Sequence, residues 1–105
     1  MIFRRDRFGD LVRRQLALFE TDEAGLLEEA AQADTAWTAA DRDETEELYG
    51  DYQLVVDAVG ERLYDVREAY AATLGEDAAD EYRSAFDKAA LKRFRNLAGF
   101  LQDED

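Results

Sequence analysis

The chain has 105 residues with no cysteine, histidine or proline, and 26 acidic against 13 basic side chains give it a net charge of −13. The missing residue types exclude disulfides, Cys/His zinc sites, Ser-His and Cys-His catalysis, His-held haem and the Glu-x-x-His di-iron centre of ferritin-like bundles. Ala, Glu, Lys, Leu and Arg make up about half of the residues, the composition of long helices, so one all-α domain is expected.

The first helix is expected to begin near Arg4 or Arg5. Val12, Leu16, Phe19, Glu23, Leu26, Ala30, Ala33 and Trp37 then alternate steps of four and three, a heptad seam with one polar member. Thr21 offers an N-cap and hence a break, which would make four helices. The sequence favours one helix to residue 38, bent near Gly25, because its length of about 52 Å then matches the helix that follows.

Asp41, with Glu44 three residues on, forms a capping box for the second helix, expected to reach Leu74. Its apolar stripe is Leu48, Tyr52, Val55, Val59, Leu63, Val66 and Tyr70, an eleven-residue repeat that keeps a helix nearly straight. Gly75 is read as a left-handed C′ residue and Asp77 as the next cap. The third helix should run to about Leu101, burying Tyr82, Phe86, Ala90, Phe94, Leu97 and Leu101. The resulting fold is an antiparallel three-helix up-down-up bundle in a single domain, residues 1–105.

Charge is segregated along the chain: residues 1–14 sum to +3, residues 15–87 to −17 and residues 88–102 to +4. The acidic middle disfavours nucleic acid and anionic membranes and suits a basic protein partner. No stretch approaches 18 apolar residues, and the charged start is unlike a signal peptide, so a cytoplasmic protein without a membrane span is expected. In the arginine-rich start, Phe8, Leu11 and Val12 are expected in the core, with the arginines paired to acids across the bundle.

Tyr49, Leu54, Val56 and Tyr64 fall off the central stripe of the long helix. Such residues either widen the core face or form a second apolar face; they are the candidate partner-binding residues, since a second face is what a homodimer of about 24 kDa would use. The expected function is therefore non-catalytic: protein–protein interaction or scaffolding with self-association and no cofactor.

An enzymatic alternative rests on Glu28 and Glu29 in "LLEEAAQAD" with Glu47 and Asp51 in "ETEELYGDY". Acidic groups on two successive helices resemble the all-α, MazG-like nucleotide pyrophosphatases. That resemblance implies Mg²⁺ held by these four carboxylates against a triphosphate. The chain departs from the pattern at Gln32, where a third Glu belongs, and in the four-residue step from Glu47 to Asp51.

Overall fold

A computed structural model describes residues 7–95. They form four helices: α1 (Gly9–Asp22), α2 (Ala24–Thr38), α3 (Thr45–Ala71) and α4 (Glu76–Arg93). Helix accounts for 83% of these residues and strand for none, so the protein is all-α. The expected start at Arg4 or Arg5, and the expected inward positions Leu97 and Leu101, lie outside the described residues.

The single first helix favoured by the sequence is divided in two. The break falls at Glu23, where φ −110° and ψ 28° leave the helical region. Helical bonding resumes at once, from the Leu27 N–H to the Glu23 carbonyl at 2.9 Å. Thr21 is not the cap: its hydroxyl donates back to the Ala17 carbonyl at 3.4 Å, a bond that bends helices. Thr21, Asp22 and Gly25 are all weak helix formers, and Glu23 is held by Arg62 of α3 at 3.2 Å. Local weakness and a long-range ion pair coincide at one residue.

The expected capping box at Asp41 and Glu44 gives way to a turn: α3 starts at Thr45 with Glu44 as its N-cap and no side-chain cap bond, while the Asp41 carboxylate accepts from the N–H groups of Asp43 and Glu44, both at 3.1 Å, just ahead of the helix. The α3–α4 connection is different. Thr73 and Leu74 close a tight turn on Tyr70 and Ala71, so α3 stops short of Leu74. Gly75 has φ −70° and ψ 164° and stands as the N-cap of α4. This corrects the left-handed C′ reading, since the turn reverses without a positive φ.

Cross-helix pairs fix the directions. Trp37 meets Tyr49 and Tyr52 while Glu23 meets Arg62, so α2 runs antiparallel to α3. Arg67 meets Asp87 and Glu68 meets Arg83, so α4 is antiparallel to α3. Phe8 packs edge-on against Tyr82 and Phe19 against Phe94, with ring centroids 5.6 and 5.8 Å apart, so α1 is parallel to α4. By this register α4 ends beside the middle of α3. The described bundle is three helices thick at the α1 end and two thick where α2 meets the N-terminal half of α3.

The core contains Val12, Leu16, Phe19, Ala30, Val59, Leu63, Tyr82, Phe86, Ala90 and Phe94. Phe8 and Val12 are buried and Leu11 packs against them, as expected of the arginine-rich start. In α3 the buried arc is wider than the stripe read from sequence. Val56, Gly60, Arg67 and Ala71 are buried as well, because α3 has α2 on one flank and α4 on the other. A Cβ at Gly50 would meet nothing within 4 Å, so no close helix approach requires that glycine.

Tyr82 has no exposed surface, and its hydroxyl donates to Gln15 Oε1 at 2.7 Å. Burial pushes its phenol up from 10.0 to about 12. The unfolded chain therefore ionises first, and stability present below pH 10 is lost as the pH rises through about 12. Tyr82→Phe should flatten the fall of Tm with pH across that window, while costing about 1 kcal/mol at neutral pH. Thermal melts at stepped alkaline pH measure both, and an unchanged slope would refute the assignment.

Candidate functional site

The four carboxylates of the metal alternative are all exposed. Glu28 and Glu29 lie on α2, Glu47 and Asp51 on α3. The antiparallel register sets Glu28 level with residues 57–60 of α3, about ten residues or ~15 Å along the helix from Glu47. Glu28 accepts a hydrogen bond from Gln32 at 3.2 Å. Among the described residues, no three Asp, Glu, His or Cys side chains converge as a metal would require. The structure does not bring the two carboxylate pairs together.

The four partner-binding candidates occupy different surroundings. Val56 is only 8% exposed and belongs to the buried arc, not to a free face. Tyr49 packs against Trp37 at 5.0 Å and Tyr52 at 6.4 Å between ring centroids, closing the α2–α3 turn. The Tyr64 ring carries the Arg67 guanidinium 5.0 Å above its centroid. Leu54 alone projects fully, 70% exposed and about 200° round α3 from buried Tyr52. Of the second apolar face of the sequence reading, Val56 is buried, while Leu54 at 70%, Tyr49 at 43% and Tyr64 at 37% stay exposed.

The surroundings of Leu54 are regular. Gly50 and Ala58 stand four residues to either side, and Glu47, Asp51, Asp57 and Glu61 stand at seven and three residues before and after. Those spacings share one helical face. Leu54 thus rises from small neighbours inside a frame of four exposed acids. None of the four has an ion-pair partner among the described residues.

On the opposite side, α1 and α4 enclose a groove of about 460 Å³. Its floor is Gly9, Leu16, Ala85 and Ala89, and its rim is Arg13, Lys88, Lys92 and Arg93. Arg93 is forked onto Glu20 at 3.0 and 3.1 Å, and Arg13 is paired with Asp10 of its own helix. Lys88 and Lys92 have no ion-pair partner among the described residues, although acids outnumber bases two to one in the chain. The sequence signalled this only as a charge excess after residue 87. Its meeting with Arg13 depends on the parallel docking of α1 and α4.

A smaller groove of about 270 Å³ opens where α4 ends, lined by Leu27, Ala30, Ala31, Asp34, Tyr52, Arg93, Phe94 and Arg95. Burial, and then the nearby charge of Asp34, raise the Tyr52 phenol above its usual range.

A third constellation is structural. Arg67, 5% exposed, donates to both Asp87 oxygens at 2.7 and 3.0 Å and to Glu68 at 2.8 Å. Glu68 also accepts a fork from Arg83, which holds its carboxyl below the usual glutamate range. These four groups pair with one another and join α3 to α4.

No family model matches this chain, and no curated protein or solved structure matches it.

Proposed function

We propose that this protein is a non-catalytic helical bundle that acts through protein–protein contacts and associates with copies of itself. The observation that carries the reading is Leu54, a large apolar side chain set on small neighbours within a frame of unpaired acids. Leu54 contributes nothing to the core. Charged side chains that surround an apolar centre are the arrangement of an interface, with apolar contact inside and a polar rim outside. The acid-rich faces also suit a basic partner.

Light scattering over a range of concentrations tests the self-association. The weight-average mass is expected to rise above the 12.0 kDa of one chain and to pass through about 24 kDa as a second copy adds. A mass fixed at 12.0 kDa across the range would overturn the reading.

A further inference from the structure

Resting on that reading, we infer that copies join head to tail, the acid-framed Leu54 of one seating in the basic α1/α4 groove of the next. The two surfaces match in chemistry. The groove offers an apolar floor of Leu16, Ala85 and Ala89, and its rim carries cations that include the unpaired Lys88 and Lys92. The knob offers one leucine framed by Asp51, Asp57 and their outer neighbours Glu47 and Glu61. A volume of about 460 Å³ is ample for one leucine side chain.

Whole-chain repulsion opposes the contact but does not forbid it. At about 0.15 M salt the Debye length is about 8 Å. Charges that touch across the interface keep their attraction there, while those of the two −13 bodies are largely screened from one another.

The two surfaces lie on opposite sides of the molecule. Leu54 points away from the α2- and α4-facing arc of α3, and the groove opens between α1 and α4. One partner cannot satisfy both at once, so the contact is heterologous and leaves a free knob and a free groove at the two ends. Association therefore continues past the dimer. A twofold pairing of like surfaces would stop at two.

Complementary variants test this at about 0.15 M salt. Lys88→Ala with Lys92→Ala removes the free cations of the groove and keeps the knob; Asp51→Lys with Asp57→Lys reverses the charge of the knob and keeps the groove, so the two altered surfaces do not complement one another. All four positions are exposed or at the groove rim, and circular dichroism checks the fold of each variant. Each alone is expected to scatter as a 12.0 kDa monomer. Their equimolar mixture should form a one-to-one complex of about twice that mass that grows no further, while the wild type grows past it. Leu54→Ser, which leaves the charge unchanged, should weaken wild-type association about tenfold or more.

If the wild type associates and the paired variants behave like it, or their mixture stays monomeric, the head-to-tail contact is wrong and self-association stands. If the wild type itself is monomeric at every concentration, both fall.

Discussion

Phe86→Ala is expected to lower the stability of the fold by about 3–5 kcal/mol, the usual cost of removing a fully buried phenylalanine. Phe86 sits at the middle of α4 with no exposed surface, beside Tyr82 at a ring separation of 6.0 Å and in one core cluster with Leu16 and Leu63. Alanines at positions 79 and 90 share the buried face of α4 with Phe86 and Tyr82. Small neighbours cannot extend to refill the space, so the cavity term persists. A domain of this size is stable by about 5–15 kcal/mol, so the loss is a large share of the total. At roughly 4–8 °C per kcal/mol, Tm should fall by at least about 12 °C. Thermal unfolding followed by circular dichroism measures it. Leu54→Ala, on the exposed face, should stay within about 0.5 kcal/mol of wild type in the same assay. A Phe86→Ala loss below about 1 kcal/mol would contradict the packing of α4 against α1 and α3.

Arg67→Met should cost about 2–3 kcal/mol, somewhat below the usual penalty for breaking a buried ion pair. The reduction has a physical source: Asp87 and Glu68 keep about a quarter of their side-chain surface in water and can partly resolvate. Asp87→Leu alone should cost at least as much, because it removes the principal partner of an almost fully buried guanidinium. The two together should cost much less than their sum, since an apolar pair in place of a buried ionic one is often close to neutral. A double-mutant cycle by urea unfolding reads the coupling, and additive losses would refute the network.

The same network links the fold to acid. Hydrogen bonding from Arg83, and then from Arg67, depresses the Glu68 carboxyl. Its contribution is present above the ordinary value of 4.5 and is lost as the pH falls below it toward the depressed folded value. Arg67→Met should therefore also show a shallower loss of stability on acidification.

How far the candidate site could be read in advance differs between its two halves. The acid frame of Leu54 is local: Glu47, Asp51, Leu54, Asp57 and Glu61 recur at steps of four and three in the bare sequence. The off-stripe apolar positions Tyr49, Leu54, Val56 and Tyr64 are equally legible there, but their spacing does not tell that Val56 is buried while the other three stay exposed. Val56 is turned inward in the folded protein, and no feature of the α3 sequence sets it apart from its exposed neighbours. The groove is wholly non-local, joining residues 9–16 to residues 85–93 across a separation of about seventy positions or more.

The sequence by itself determined that this protein is helical, where most of its core stripes run and which chemistries its composition excludes. Those properties depend on contacts within a turn or two of helix, which composition and spacing encode directly. Tertiary structure alone decided that Glu23 divides the first helix, that Arg67 is buried beside Asp87, and that Lys88 and Lys92 share a groove with Arg13. Each of these depends on which faces of distant helices dock and in what register. Side-chain packing and ion pairing over the whole chain set that register, and no local spacing in the sequence encodes it.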